Sequence, residues 1–364
     1  MRRAVALAAS ARRRTAPNPW VGAVVVRDGE IVGEGATEPP GGRHAEISAL
    51  AQAGPEARGA TVVVTLEPCS HRGRTPPCVD ALVTAGVSRV VVAVEDPDPR
   101  VRGEGIAQLR AAGVDVVVGP GNAAVQRSLA PYLHHRRTGR AWCVLKTATS
   151  LDGRTAAADG SSRWITGPQA RADAHGLRAD SQAVVIGAGT ALADHPSLTV
   201  RDAPGPVGPA PLRVLLDASG RVPATGPLFD TELAPTLVVT SDTADPAAVD
   251  AWRAAGAKVE VVARAGDGPG VDLPATLALL GSMGVLQALF EGGAHLHGRL
   301  LAAGVVDRVV QYVGPTLLGE RGQPAMAWTG PDSIEDAPRF HLASITRLGD
   351  DARLDLEPIA AEAC

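Results

Sequence analysis

The sequence predicts two consecutive α/β domains, the first over residues 1–140 and the second over residues 141–364. A chain of 364 residues is long for a single hydrophobic core, which favours a division into two domains. In both parts, short runs of β-branched residues alternate with amphipathic helical segments, which is typical of layered α/β domains. We place the linker at the short basic segment HHRRTGRAW, residues 134–142.

The first domain is predicted to begin with a helix over residues 4–10 and a β-hairpin. Asp28-Gly29 is the dipeptide expected for a tight hairpin turn between two strands. A helix then follows RHAEISALAQAG and ends at Gly54. The later elements are the strand TVVVTL (61–66), a helix that begins at Cys78, the strand RVVVAVEDP, the helix GEGIAQLRAAG and the strand VDVVVG.

The second domain shows the same alternation of strands and helices. Its predicted strands are WCVLKTA, AVVIGAGT (183–190, which opens into a glycine-bearing turn), LRVLLD, TLVVTS, KVEVVA, VLQALFEGG and VVDRVVQYVGP. Its predicted helices are residues 168–179, PAAVDAWRAAG, LPATLALLGSMG and AHLHGRLLAAG. The residues after Gly319 give no distinctive pattern.

Charge and composition argue against two classes of function. The net charge of −4 and the 3% of aromatic residues are unsuited to nucleic-acid binding, which needs a basic face and stacking rings. No run of about 18 apolar residues occurs, so we expect no membrane span. The basic residues on both sides of the short apolar N-terminal stretch indicate an amphipathic helix and not a secretory signal. Four cysteines indicate a reducing, cytoplasmic environment without disulfides.

A histidine, a glutamate and two cysteines give the strongest chemical signal in the chain. His44, Cys69 and Cys78 suit zinc, and three protein ligands leave the fourth tetrahedral position open, as in catalytic zinc sites. Zinc lowers the pKa of a bound water, and Glu46 could transfer the proton to a leaving amine. The order H-A-E, then P-C and a further cysteine, is the signature of zinc-dependent base deaminases.

The spacing between the two cysteines departs from the general P-C-x-x-C pattern, because SHRGRTPP separates Cys69 from Cys78. The alternative is that these residues lie near each other by chance. Cysteine is scarce in this chain, and two of its four cysteines follow the H-A-E segment, so we favour the metal site.

The segment TLEPCSHRGRTPPC, with HAE upstream, resembles the bifunctional deaminase/reductase family of riboflavin biosynthesis, which has this long spacing. KTATSLDGRTA, SRWITG, VVIGAGTALADHPSLTVR and FEGGAHLHG resemble the reductase domain of that family. The resemblance extends from Ala4 to about Gly319. It implies an N-terminal cytidine-deaminase-like fold, a C-terminal dihydrofolate-reductase-like fold, and Zn²⁺ and NADPH as cofactors.

The resemblance also implies site residues, position by position. In the first domain Glu46 is the catalytic residue, and His44, Cys69 and Cys78 bind the metal. The substrate-binding positions are Asn18, His71, Arg74, Lys146, Ser162, Arg178, Leu198, Arg201 and Glu291. The cofactor-binding positions are Ala148, Trp164, Thr190, Asp194 and the run Gly293, Ala294, His295, Leu296, His297, Gly298 and Arg299.

Several of these residues have a plainer alternative interpretation. Asn18 could equally be a turn residue before proline, and His71 and Arg74 could be solvated loop side chains. The Gly292-Gly293 turn lacks the G-x-G-x-x-G dinucleotide pattern and, taken alone, indicates only a tight turn. Lys146 could be a surface lysine at a strand edge, and either Lys146 or Asp194 could be the catalytic residue of the reductase.

The function implied by the resemblance is hydrolytic deamination of 2,5-diamino-6-ribosylamino-4(3H)-pyrimidinone 5′-phosphate, followed by NADPH-dependent reduction to 5-amino-6-ribitylamino-uracil 5′-phosphate. The expected partner is this small phosphorylated aminopyrimidine, without nucleic acid or membrane, in a homo-oligomer. Three alternatives stay open: a deaminase with a non-reducing scaffold domain, a nucleic-acid-editing deaminase, and a non-catalytic zinc-stabilised binding module.

Overall fold

The structure is a computed structural model, and it describes residues 1–71, 76–206, 208–266, 268 and 270–359. The chain divides into two compact units, residues 1–139 and residues 140–364. Within the described residues, no helix has the length and apolar character needed to cross a bilayer.

The first unit is built on a five-stranded mixed sheet. Its strands are β1 (Gly22–Arg27), β2 (Glu30–Ala36), β3 (Thr61–Leu66), β4 (Arg89–Val94) and β5 (Asp115–Val118). Its helices are α1 (Arg2–Ala11), α2 (Ala45–Ala53), α3 (Cys78–Ala85), α4 (Glu104–Ala111) and α5 (Asn122–Thr138). The strand order is β2-β1-β3-β4-β5, in which β1 is antiparallel to β2 and β3 while β3, β4 and β5 run parallel.

Two local features of the sequence fix the start of this unit. Asp28 and Gly29 both have positive φ, as a tight turn between β1 and β2 requires, so the predicted hairpin is confirmed. Gly33 and Gly35 on β2 let α2 pack directly on the sheet. A Cβ atom at Gly35 would lie only 2.1 Å from the Ala45 carbonyl oxygen, so α2 could not start where it does with a larger residue there.

The second unit contains a nine-stranded sheet and a separate two-stranded ribbon. Its strands are β6 (Trp142–Ser150), β7 (Arg154–Ala156), β8 (Ala183–Gly187), β9 (Leu212–Leu216), β10 (Thr236–Thr240), β11 (Lys258–Val261), β12 (Gln287–Phe290), β13 (Arg308–Gly314), β14 (Gln323–Pro324), β15 (Phe340–Leu348) and β16 (Asp351–Pro358). Its helices are α6 (Pro168–Ala179), α7 (Ala188–Asp194), α8 (Pro246–Ala254), α9 (Leu273–Ser282) and α10 (Ala294–Ala302).

The order of the large sheet is β11-β10-β9-β8-β12-β6-β13-β16-β15. The strands from β11 to β13 are parallel, and β16 and β15 add an antiparallel edge. Both faces of the central strands are buried: Leu145 and Phe290 pack on one side, and Ile186 and Leu215 on the other. This explains why these strands read as continuous apolar runs in the sequence and not as alternating patterns.

Three expectations about the elements were wrong or incomplete. The segment 183–190 was expected to be a strand that opens into a turn, but from Ala188 it forms the start of α7, because the glycine-bearing segment continues into the good helix formers Ala191 and Leu192. The predicted linker begins too early, since α5 extends to Thr138; this polar helix has little hydrophobic periodicity. The hairpin of β15 and β16 was not predicted, because seven of the nine β15 residues are exposed and show no period-two burial.

Candidate active sites

The first candidate site lies where β3 ends and two helices begin. His44 is the residue that precedes the first turn of α2, and Glu46 lies in that turn. Cys69 follows β3 after a two-residue step, and Cys78 is the first residue of α3. The positive ends of two helix dipoles therefore point at the sulfur atoms, which favours thiolate over thiol.

The distances among the three side chains suit one metal ion. His44 Nδ1 lies 3.2 Å from Cys78 Sγ and 3.5 Å from Cys69 Sγ. All three ligand atoms lie within 4.8 Å of one another. Tetrahedral zinc with bonds of about 2.3 Å to sulfur and about 2.0 Å to nitrogen would place N and S about 3.5 Å apart. The donor set and its spacing could thus hold Zn²⁺ with one position left for a further ligand.

Negative charge accumulates in this small volume. Burial raises the pKa of Glu46 to about 7, and the charge of Cys69 adds to the shift. A hydrogen bond between the two sulfur atoms lowers the pKa of Cys69 and raises that of Cys78. Without a metal ion, the two sulfur atoms therefore share one proton. Beside a dication both thiols would lose their protons, as zinc binding requires.

Sequence reasoning missed Glu67, which organises the loop behind the metal ligands. Its buried carboxylate accepts hydrogen bonds from the backbone N–H groups of Asp96 at 3.1 Å, Gly103 at 3.0 Å and Ile106 at 3.1 Å. It lies two residues before Cys69, so it fixes the end of β3 against the loop after β4. A carboxylate placed directly after an apolar strand was the signal available in the sequence.

The residues predicted to bind substrate in this unit differ in burial and in their contacts. His71, two residues after Cys69, has a buried Nδ1 atom without a hydrogen-bond partner in the described part of the chain. Asn18 is half-buried in the turn that precedes β1, where its backbone N–H donates to Thr15. Trp20 is buried and packs in the core, with Arg12 over its ring. Arg74 lies outside the described residues.

The second candidate site lies at the carboxyl ends of the parallel strands, where ligands of open α/β sheets bind. Glu291 directly follows β12, and Arg178 lies at the end of α6. Nε and Nη2 of Arg178 each donate to one carboxylate oxygen of Glu291 at 2.7 Å, a bidentate ion pair. The third contact of Arg178 is a hydrogen bond from Nη1 to the Thr199 carbonyl at 3.0 Å. In the described part of the chain, these contacts engage three of the five N–H groups of Arg178, which leaves two for a substrate.

Lys146 on β6 belongs to the same charged group. Burial lowers the pKa of its ammonium, while the nearby Glu291 carboxylate opposes that shift. The charge of Arg178 in turn holds the pKa of Glu291 at about 2 against its burial. The site thus contains one carboxylate between two cations, and Glu291 is ionised throughout the physiological range.

The predicted cofactor run from Gly293 to Arg299 includes the start of α10, with Gly293 just before the first turn. Thr190 Oγ1 on α7 would lie 3.5 Å from a Cβ atom at Gly293, so α7 and this turn are neighbours. Leu296 and His297 are buried, and burial lowers the pKa of His297 to about 4. The backbone N–H groups of both residues donate to the Gly293 carbonyl, at 3.0 Å and 3.2 Å.

The remaining predicted residues of this unit differ in exposure. Leu198 is buried. Arg299 donates a hydrogen bond to the Val271 carbonyl. Trp164 has 67% of its surface exposed, and the Arg171 guanidinium lies 4.3 Å from its ring centroid. Ala148 on β6 and Arg299 are half-buried, and the exposed residues are Ser162, Asp194, Arg201 and His295.

Comparison with known proteins assigns both halves of the chain. The cytidine and deoxycytidylate deaminase zinc-binding region family matches residues 1–94, and the RibD C-terminal domain family matches residues 141–354. The riboflavin biosynthesis protein RibD of Escherichia coli is 40% identical over 366 residues, covering 98% of each chain. That of Chlamydia pneumoniae is 42% identical over 355 residues, covering 97% of this chain and 93% of its own.

Solved structures agree over the full length. A RibD structure from Acinetobacter baumannii matches with a TM-score of 0.88 at 38% identity, covering 98% of this chain and 97% of that one. A Thermotoga maritima protein, described as a diaminohydroxyphosphoribosylaminopyrimidine deaminase/5-amino-6-(5-phosphoribosylamino)uracil reductase, matches with a TM-score of 0.85 at 31% identity, covering 99% and 97%.

These matches confirm the predicted fold class, with a cytidine-deaminase-like first domain and a dihydrofolate-reductase-like second domain. They also confirm the predicted cofactors, Zn²⁺ for deamination and NADPH for reduction. Because both halves match, the predicted bifunctional deaminase/reductase is confirmed, and the alternative of a deaminase with a non-reducing scaffold domain is not favoured. The chain belongs to the RibD family, the bifunctional deaminase/reductases of riboflavin biosynthesis.

Proposed function

We propose that residues 1–140 deaminate 2,5-diamino-6-ribosylamino-4(3H)-pyrimidinone 5′-phosphate and that residues 141–364 then reduce the product to 5-amino-6-ribitylamino-uracil 5′-phosphate. The observation that carries the first step is the cluster of His44, Cys69 and Cys78 with the buried Glu46 beside it. The name of the similar Thermotoga maritima protein supports the choice of substrate. The enzyme works in the cytoplasm, where its thiols stay reduced.

In the deamination step, His44, Cys69 and Cys78 hold the zinc ion. When bound, Zn²⁺ lowers the pKa of a water ligand so that a nucleophile is available near neutral pH. Glu46 would carry one proton from water to the exocyclic amine: the water oxygen bonds to the ring carbon, the C–N bond breaks to release ammonia, and the second proton goes to the ring nitrogen as the carbon becomes a carbonyl. Asn18 holds the pyrimidine edge, and His71 with Arg74 holds the ribose phosphate.

In the reduction step, NADPH supplies a hydride, which adds to C1′ of the ribosyl group. A proton must reach the ribose ring oxygen as the ring opens to the ribityl chain. Lys146 is the better candidate for this donor, because it is half-buried and near enough to Glu291 for that carboxylate to raise its pKa, whereas Asp194 is exposed at the end of α7. Arg201 and the free N–H groups of Arg178 bind the phosphate, and Glu291 receives the donor edge of the pyrimidine.

NADPH would be held by Ala148, Trp164, Thr190, Asp194 and the run from Gly293 to Arg299, which includes α7 residues and the start of α10. Ser162 and Leu198 would complete the substrate side.

The order of the two steps can be read from the products by mass spectrometry. Incubation of the zinc-loaded enzyme with the diaminopyrimidine alone should give the deaminated ribosylamino product, in which one oxygen replaces one amine. Addition of NADPH should convert this product to the ribityl compound, with the gain of two hydrogens. A ribityl product that still carries the amine would show that reduction comes first. If nothing is converted without NADPH, the proposal that deamination proceeds independently of reduction is wrong.

We further propose that the enzyme is a homo-oligomer in which β15 contributes to the interface. This strand ends the nine-stranded sheet, pairs with β16 on its other side, and has seven of its nine residues exposed. Leu342 and Ile345 on it are 45% and 63% exposed. A long edge strand with exposed apolar residues is prone to pair with another chain unless it is covered.

Replacing Ile345 with Lys should therefore weaken self-association. We expect the light-scattering mass of the wild type after size exclusion to be a multiple of the chain mass, and that of I345K to fall towards it at micromolar concentration. Ile334→Lys is the control, because Ile334 is 78% exposed outside any strand. Equal masses for wild type and I345K would exclude this strand from the interface.

A further inference from the structure

The segment that follows α7 and carries Arg201 has an unusual backbone. His195, Leu198 and Asp202 have φ values of 43°, 52° and 50°, in the left-handed region that non-glycine residues seldom adopt. His195 is the left-handed residue that ends α7, a common way for a helix to end, and aspartate adopts this region more readily than most residues, but Leu198 does so at a cost in free energy. Contacts from outside the segment must hold it in place.

One face of α6 supplies two such contacts. Arg178 Nη1 donates to the Thr199 carbonyl at 3.0 Å, and His175 Nδ1 accepts the backbone N–H of Arg201 at 3.1 Å. His175 and Arg178 are three residues apart, so they lie on the same side of the helix. The helix thus holds a carbonyl and an N–H of alternate residues, much as a neighbouring strand would.

The contact from His175 depends on its protonation state. A ring nitrogen can accept an N–H only when it carries no proton, so Nδ1 is bare and the neutral ring carries its proton on Nε2. The charged groups that face this ring are Arg178 on its own helix, Glu291 after β12, and Arg201 and Asp202 in the segment itself. Burial and the charge of Arg178 lower the pKa of His175, which keeps the acceptor available.

We propose that His175 is a positioning residue of the reductase: in its neutral form it fixes the backbone at Arg201 for the substrate phosphate, and its protonation releases that segment. The inference rests on the proposed role of Arg201 as a phosphate ligand. The consequence is a KM for the aminouracil substrate that rises at acid pH, while deamination in the other unit does not follow the same titration.

Two variants of the full zinc-loaded enzyme separate this role from mere packing. Asn places an amide oxygen near the position of Nδ1, so H175N keeps an acceptor that does not titrate. Gln places its terminal group near the position of Nε2, so H175Q loses the acceptor. We expect H175Q to raise the KM of reduction about tenfold with kcat little changed, the effect of one lost hydrogen bond. H175N should keep the wild-type KM at neutral pH.

The pH profile gives a second readout. The phosphate of the substrate also titrates near pH 6, so H175N provides the reference in which only that titration remains. Wild-type KM should rise more steeply than that of H175N as the pH falls. Equal KM values for H175N and H175Q, or identical pH profiles for wild type and H175N, would overturn the inference.

Arg201→Ala distinguishes the inference from the function on which it rests. An increased KM in Arg201→Ala, together with the expected difference between H175N and H175Q, supports both. An unchanged KM in Arg201→Ala overturns the phosphate role of Arg201 and the inference with it. An increased KM in Arg201→Ala without a difference between the two His175 variants overturns the inference alone.

Discussion

Replacing Glu46 with Gln should remove deamination and leave both zinc binding and reduction in place. Glu46 is buried beside the three metal ligands but is not one of them, and it is the carboxylate available to move a proton there. Gln keeps the size of the side chain and cannot carry the proton. General acid–base catalysis typically contributes 10²–10⁴-fold, so we expect kcat for deamination to fall by about 10³-fold.

The measurement combines ammonia release, bound zinc by elemental analysis, and NADPH oxidation with the deaminated substrate. Glu56→Gln is the matched control, because Glu56 is exposed just beyond the end of α2. Full deamination by E46Q would support a different proton carrier. Loss of zinc together with deamination would instead make Glu46 a structural part of the metal site.

The same experiment distinguishes a catalytic deaminase from a non-catalytic binding module that zinc stabilises. Such a module would keep its function in E46Q, since the metal ligands are unchanged. A nucleic-acid-editing deaminase would lose activity as well, but it would act on single strands, and a strand-binding assay with wild-type enzyme tests that directly.

Local sequence patterns were sufficient to predict the first site. His44 and Glu46 are fixed relative to each other by one turn of α2, and Cys69 and Cys78 lie at the ends of elements whose boundaries are visible in the sequence. The site is predictable because its side-chain types are chemically distinctive and occur in a recognisable order, although His44 is 25 residues from Cys69 and 34 from Cys78. The ligand roles themselves stay a prediction, supported by the 3.2 Å and 3.5 Å contacts around His44.

Contacts between a side chain and a distant backbone group could not be predicted in the same way. Glu67 meets the backbone of Ile106, and His175 meets that of Arg201, but backbone partners have no side-chain signature in a sequence. Arg178 and Glu291 were both expected at the substrate, yet their mutual ion pair was not expected. Such pairs depend on how strands are ordered in the sheet, which strand periodicity does not specify.

That ion pair leads to the second large effect, in the reductase. Replacing Glu291 with Gln should leave Arg178 and Lys146 as two cations without their shared carboxylate. Breaking a buried pair by removing one partner costs about 3–5 kcal/mol, because the remaining charge stays desolvated. We expect reduction to fall by at least about 10²-fold, while ammonia release by the other unit stays at the wild-type rate.

The pH dependence of the reductase activity that remains in E291Q shows in which direction the Glu291 charge shifts the pKa of Lys146. Glu291 raises the pKa of Lys146 against the lowering by burial, so its removal should lower that pKa further. If Lys146 donates the proton, activity is lost as the pH rises through its pKa, and the basic limb of the kcat profile should move to lower pH in E291Q. Glu232→Gln, at an exposed position, is the control. A basic limb that stays in place would rule out Lys146 as the donor. Glu291 is the carboxylate that raises the pKa of Lys146, so the loss of its charge must lower that pKa.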